Sequence, residues 1–469
     1  MSTSSPSRRR FLSLSVALPA GAGALLAACG QAGGGATKQT VPLTQRPPMK
    51  LELAVEPTAG RKAQADIWNA KFPNIQVTPV TAPTGTGVVA LEKFVASIAA
   101  GSAAPLVRFD RFQVATYAHR KAFLPLDDYV KRDKFDTKKF YAPALEEATG
   151  VADKKIYGIP MSMGLRLLFW NKDVFQQVGL DPEKPPKTWD EHRQMALRLT
   201  QRGGATGLER LGFHLDRGQA HYHLWAWQNG GGFQTPDGKK ATLNTPQNIE
   251  ALEYMQRFTR DLGGAQLISA FAKTFGSGAQ APEIVGQLAT YMISYSGVGN
   301  YPRYRKELNF GLVIPPVKKE GDKPITWSGG FAYDITRDAK DPDVVWEIMK
   351  FFTSEEGYIA QFDGDKRDAQ AGGGVYIAEF TTQPDLDRKM IERYKTGLPN
   401  IDKIPPYVLD QVKYTRFREL SIAADQLWDG IKASQTQAVS EDKNPKQALD
   451  ENNVLVQQAL DQAWASVPK

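Results

Sequence analysis

Three of the five histidines, His214, His221 and His223, gather around Asp216. Imidazole and carboxylate together can hold a divalent transition metal. The short His221-x-His223 spacing has no second motif beside it, so the cluster reads as an ordinary loop and no metal is assigned. No Gly-x-Ser-x-Gly, His-Glu-x-x-His or Walker loop occurs, which leaves the common hydrolase, zinc-protease and nucleotide signatures unfilled. Glu146-Glu147 and Glu355-Glu356 are sequence neighbours on expected helices, so their carboxylates diverge, whereas glycoside hydrolysis needs two carboxyls set across a cleft. The single cysteine, Cys29, rules out a disulfide, a thiolate metal site and a cysteine nucleophile in the rest of the chain. What remains is binding chemistry. Trp327 stands just before Gly329 and Gly330, Tyr295 lies in a Ser/Gly-rich stretch, and Trp225 and Trp227 precede Asn229. Asp110, Arg111 and Glu56 add forked polar groups. Aromatic planes beside such groups suit a ligand with apolar C–H faces and a rim of hydroxyls.

Alternating strands and helices position these residues. Residues 50–55 read as a strand; residues 63–72 as a helix carrying Ile67, Trp68 and Phe72, stopped by Pro73. Residues 75–80 are β-rich. Leu91, Phe94, Val95 and Ile98 follow at helical spacing, ending at Gly101, and residues 106–109 form another strand. This is the pattern of a parallel sheet with helices on its faces. Right-handed crossovers align the loops after Val55, Val80 and Phe109 along one edge, where open α/β sheets bind ligands. Glu56, Asp110 and Arg111 fall on that edge.

The stretch 155–191, KIYGIPMSMGLRLLFWNKDVFQQVGLDPEKPPKTWDE, then crosses a Gly/Met-rich joint. Residues 165–170 are an apolar run of strand length. Thr188-Trp189-Asp190-Glu191 is a capping box that opens a helix. Residues 229–238 carry turn chemistry. Asn244-Thr245-Pro246 starts a helix with Ile249, Leu252, Met255 and Phe258 on one face; Asp341-Pro342 starts another with Val345, Ile348 and Phe352. After Asn444-Pro445 an amphipathic helix turns Leu449, Leu455, Val456, Leu460 and Ala463 inward.

The same stretch, with its Tyr-Gly-Ile-Pro, Phe-Trp-Asn-Lys-Asp and Thr-Trp-Asp-Glu runs, resembles the extracellular solute-binding proteins of bacterial ABC transporters, in particular the carbohydrate-binding group that includes maltose-binding protein. Residues 286–299 and 310–316 and the loop Trp327-Ser328-Gly329-Gly330-Phe331 resemble further family segments. Two departures stand out: Leu106 replaces the acid usual after Pro105, and no Trp occupies the usual place near Tyr295. The resemblance implies a two-lobed α/β fold of the periplasmic-binding-protein kind, each lobe a mostly parallel sheet with flanking helices, and a ligand cleft at a hinge. Lobe 1 would comprise residues 49–161 and 311–365, lobe 2 residues 162–310 and 366–469, with Met161, Ser162, Gly164 and Gly311 at the hinge. It implies a non-enzymatic, monomeric binding protein that needs no cofactor. It would capture an oligosaccharide or disaccharide through Trp327, Gly329, Gly330, Tyr295, Asp110, Arg111, Trp227 and Glu56, and deliver it to ABC permease subunits.

Ser7-Arg8-Arg9-Arg10-Phe11-Leu12 fits a twin-arginine export pattern, and the uncharged segment after it ends in Leu26-Ala27-Ala28-Cys29, a lipobox-like site. Residues 1–28 therefore read as a signal peptide, Cys29 as a lipidated membrane anchor, and residues 29–48 as a flexible tether. The expected location is extracytoplasmic. The formal charge of +7 includes no Lys/Arg-rich tract beyond that signal, so nucleic acid is not an expected partner. Other readings share the scaffold: a secreted carbohydrate-active or metal-dependent enzyme, a glycerol-phosphate-type receptor, or an anchored sensor module. The phosphate reading would require several basic residues or helix N-termini aimed into the cleft.

Overall fold

In the computed structural model, residues 41–81, 88–218 and 221–467 are described. The signal, Cys29 and most of the tether lie outside them, as does the side chain of Asp216. These described residues form one compact unit. Its strands are β1 (Met49–Ala54), β2 (Ile75–Val80), β3 (Leu106–Asp110), β4 (Gly158–Pro160), β5 (Gly164–Asn171), β6 (Gln201–Arg202), β7 (Leu208–Gly218), β8 (Leu288–Ser294), β9 (Phe310–Val313), β10 (Thr326–Gly329), β11 (Phe331–Ile335) and β12 (Thr415–Arg416).

The first sheet has the order β2-β1-β3-β11-β4. β1, β2 and β3 are parallel and β11 is antiparallel to both of its neighbours. Leu53, Val55, Ile75, Val77, Leu106, Tyr333 and Ile335 pack with Trp68 and Trp346 into one core of this lobe. The second sheet has the order β12-β10-β5-β8-β7-β6, with β9 also on β5. Leu165, Leu167, Leu168 and Phe169 are fully buried, as a continuous apolar run demands of a central strand.

The expectation of a mostly parallel second sheet is corrected here. β5 is antiparallel to β8, β9 and β10, and only β7–β8 and β10–β12 are parallel. The chain leaves the first sheet through β4 into β5 and returns through β10 into β11. One outward and one inward strand, paired side by side, must run in opposite directions.

The outward crossing lies at residues 161–163, as the sequence suggested, with Met161 and Met163 buried. The return crossing does not lie at Gly311. That residue is inside β9, paired with Trp170, and a Cβ there would collide with the indole of Trp170. Residues 311–329 thus belong with the second sheet, and the return is at Gly330. A Cβ on Gly330 would collide with the Ser162 carbonyl, so the two crossings touch backbone to backbone. A third passage follows helix Glu355–Ala371, which packs on helix Ala59–Lys71: Gly60 N–H donates to Asp365 Oδ1 at 2.9 Å. First-lobe structure therefore runs past residue 365.

Local expectations fare unevenly. Thr188 Oγ1 accepts from Glu191 N–H at 3.2 Å, but the Glu191 carboxylate takes the Lys187 amide at 2.7 Å, not that of Thr188. On the C-terminal helix Leu449, Val456 and Leu460 are buried while Leu455 is 61% exposed. The tether ends before residue 48: Asn74 donates to the carbonyls of Leu43 and Arg46 at 2.8 and 3.0 Å, and Arg46 pairs with Asp341 at 2.7 Å.

Candidate solute-binding cleft

The carboxyl ends of β1 and β3 face the second lobe, and a cavity of about 380 Å³ lies between them and the turn after β8. Leu53, Ala54 and Val55 are buried, which fixes the end of β1. The chain then turns sharply through Glu56, whose φ is +60°. Thr58 caps helix Ala59–Lys71, its hydroxyl accepting from Arg61 N–H at 3.2 Å. Glu56, Thr58 and Arg61 form one wall, with Arg108 of β3 beside them; the opposite wall is the turn of residues 296–300. Gln361, Asp365, Tyr376 and Glu379 close the third side.

Donors and acceptors both line this cavity. Arg61 donates from Nη1 to Gln64 Oε1 at 2.9 Å and Gln361 Oε1 at 2.7 Å. Arg108 lies 3.2 Å from the centre of the Phe331 ring. Burial, then the charge of Arg61, lowers the Arg108 guanidinium to about 10. Burial raises the Asp365 carboxyl above its usual range, against the pull of the Gly60 amide. Ser296 Oγ donates to Glu379 Oε1 at 3.3 Å.

Of the residues singled out by sequence, Glu56 lines this cavity. Tyr295 does not: it is fully buried, its hydroxyl donates to the Ala378 carbonyl at 2.9 Å, and its ring packs on Phe380. It supports the turn whose next residues face the cleft. Trp327 is 4% exposed on β10, under the Arg166 guanidinium at 4.1 Å. Trp227 is buried, with Nε1 donating to Glu419 Oε1 at 2.9 Å; Trp225 is buried as well. Asp110 pairs with Arg418 at 2.6 Å, and Arg111, fully buried, pairs with Glu147 at 3.0 Å while Nη1 holds the Ser162 carbonyl. Gly329 and Gly330 are crossing backbone.

Trp327, His221, His223 and Trp428 pack ring against ring with Arg418. The void left beside Phe112, His223, Trp227 and Trp428 is about 10 Å³, room for no sugar ring. The large aromatics that could have served as stacking planes are taken up by the core around the second sheet. His214 stands apart: its Nδ1 accepts from Arg217 N–H at 3.0 Å and its ring faces Phe275. Among the described residues no group of three His, Cys, Asp or Glu side chains is placed to hold a metal ion.

Sequence reasoning missed Arg61, Arg108, Asp365 and Glu379. Arg61 had a usable signal, a Thr cap three residues ahead of it after a strand. Asp365 and Glu379 reach the cleft only through the third passage, which leaves no local pattern.

Two α/β lobes joined by three passages, with a polar cavity at the junction, define a two-lobed solute-binding protein. The chain belongs to the bacterial extracellular solute-binding protein family, whose model matches residues 54–359. As a member of this extracellular family it acts outside the cytoplasm, and among the described residues no helix is long and apolar enough to cross a membrane. It is 24% identical over 404 residues to the arabinooligosaccharide-binding protein of Bacillus subtilis, covering 82% of this chain and 85% of that one. It spans 66% of the length of a putative binding protein of Brucella abortus at 23% identity, a match that covers 58% of this chain. In three dimensions it is similar to CpMnBP1 with mannobiose bound: TM-score 0.70 and 24% identity, over 87% of this chain and 99% of the other. UgpB of Mycobacterium tuberculosis in complex with glycerophosphocholine gives a TM-score of 0.68 at 18% identity, over 89% of this chain and 99% of the other.

Proposed function

We propose that this protein captures a saccharide between its lobes and delivers it to the permease of an ABC transporter, held to the membrane by a lipid on Cys29. The observation that carries the reading is the cavity of about 380 Å³ at the carboxyl ends of β1 and β3, walled by Glu56, Thr58, Arg61, Ser296, Asn300 and Glu379. Such a wall offers hydrogen-bond partners on every side, as a hydroxyl-rimmed ligand requires. The naming of the Bacillus relative as an arabinooligosaccharide-binding protein supports the ligand class. Contacts from both lobes to one ligand favour the closed arrangement by their differential free energy. The reading is of a carrier and not a catalyst: the solute leaves unchanged.

A thermal-shift screen of the purified full-length chain against mono-, di- and oligosaccharides, polyols and their acidic and phosphorylated forms tests this. At a hundredfold excess over Kd, a solute bound only by the folded state adds about 2.7 kcal/mol. A rise in Tm with one group of solutes, recovered intact, is the expected result. A solute recovered cleaved, or no rise with any of them, would overturn it. Mass measurement of the membrane-associated protein tests the anchor: a diacylglyceryl group on Cys29 is expected, and an unmodified Cys29 refutes it.

A further inference from the structure

We propose that the solute carries an anionic group, a carboxylate or a phosphate, and that Arg61 and Arg108 receive it in the cleft. The inference rests on the carrier reading; an acidic saccharide narrows its ligand class, and a phosphate that is not a sugar replaces it. Arg61 and Arg108 line the same cavity. Arg61 is 5% exposed, and its hydrogen bonds run to the neutral oxygens of Gln64 and Gln361 and to the Met161 sulfur. It forms no ion pair with a carboxylate among the described residues. Two guanidiniums facing one small cavity repel each other: burial first and then Arg61 lowers the Arg108 guanidinium, against Tyr333, Glu379 and Asp110.

Arg166 repeats the pattern from the second lobe. Its guanidinium lies over Trp327, Nη1 donates to the Gly164 carbonyl, and Nε is buried without a partner. It too forms no ion pair among the described residues. Burial first, then Arg418, lowers its guanidinium, against Asp110 and Glu379; Glu379 lines the cavity. The neighbouring Arg418, by contrast, holds a carboxylate, that of Asp110.

The cavity's acids act on this charge, Asp365 with Arg61 and Glu379 with Arg108, but among the described residues none forms an ion pair with Arg61. Asp365 is committed to the Gly60 amide and Gln361. Glu379 is exposed at the rim with Ser296, and Glu56 sits on the turn after β1. A buried guanidinium without a carboxylate is unfavourable, and its fork matches carboxylate or phosphate oxygens in pairs. An anionic solute supplies Arg61 with the charged partner that Gln64 and Gln361 do not.

Isothermal titration of the purified full-length chain with a 1,4-linked diuronate, its dimethyl ester and glycerol 3-phosphate decides the matter. The expected result is binding of the diuronate or of glycerol 3-phosphate, with the ester at least roughly 30-fold weaker than the diuronate if that is the anion bound. Which anion binds separates a carboxylate from a phosphate solute. Raising NaCl from 50 to 500 mM should weaken the anion several-fold, and R108Q should weaken it at least roughly 10-fold at unchanged Tm. R61Q is the companion variant, and the wild-type comparison stands whether or not that chain folds. An ester or a neutral disaccharide that binds as tightly as either anion overturns the inference and leaves the carrier reading intact. Binding of none of these probes, with no other solute raising Tm, overturns both.

Discussion

The Asp110 carboxylate of the first lobe meets the Arg418 guanidinium of the second at 2.6 Å, with only 16% and 9% of the two side chains exposed. Around this pair the segment after β12 grips helix Arg111–His119. Thr116 Oγ1 donates to the Ser421 carbonyl at 3.1 Å and accepts from Ala424 N–H at 2.9 Å, and the Tyr117 hydroxyl donates to Asp425 at 3.1 Å. One side of the junction is thus closed by direct contact, and the cavity lies elsewhere along it. D110N leaves Arg418 half-buried with a neutral partner. A loss of about 1.5–3 kcal/mol is expected, the range for hydrogen bonds to charged groups, measured by urea denaturation. A cycle with R418Q should show the two changes to be non-additive; additive losses would mean that the pair carries no coupling.

Gly330 is the return crossing, pressed against the Ser162 carbonyl and the Arg111 guanidinium. G330A forces the two crossing strands apart. Overpacking of this kind costs about 1–3 kcal/mol, and because the strain sits at the junction, small-angle scattering should show a more open particle. G311A, set against Trp170 inside β9, should lower Tm without opening the lobes.

Asp334 is fully buried on β11, and neither of its carboxylate oxygens has a hydrogen-bond partner. Burial pushes its carboxyl well above the ordinary range. The unfolded chain gives up this proton near pH 3.9, while the folded chain keeps it to higher pH. Stability on this account is full below pH ~3.9 and falls as pH rises through the raised value. D334N should flatten the decline of Tm on the alkaline side, followed by calorimetry from pH 5 to 9.

His221 and His223 stack at 5.6 Å between Trp327 and Trp428. Burial, then the charge of Arg166, holds His221 down at about 4, and burial, then His221, lowers His223 further below its usual range. The unfolded chain protonates both near pH 6.5. Their contribution is therefore full above pH ~6.5 and is lost as pH falls from there toward 4. The double variant H221Q/H223Q should show a smaller drop in Tm between pH 6.5 and 4.5 than the parent.

Asn300 is exposed and lines the cavity from the second lobe. N300A should weaken the solute that raises Tm by about 3- to 10-fold, as the loss of a neutral hydrogen bond does. Stability should change by less than about 0.5 kcal/mol. An unchanged affinity would remove this turn from the site.

The sequence by itself determined the elements and the outward joint. The apolar run Leu165–Trp170 became the central strand β5, Thr188 became a helix cap, and Met161-Ser162-Met163 became the first crossing, because periodicity, capping and breaker residues act within a few positions of one another. It could also place Glu56 at a sheet's ligand edge, since strand order along one lobe is a local matter. Only the tertiary structure decided which side chains face the solute. Trp327, Trp227 and Tyr295 look like stacking planes in sequence, yet the core around the second sheet buries them; Arg61, Arg108, Asp365 and Glu379 meet only because three passages bring distant segments to one junction. Whether an aromatic or a charge ends in a core or a cleft depends on what packs over it, and that is settled by contacts hundreds of residues apart, such as Asp365 on Gly60.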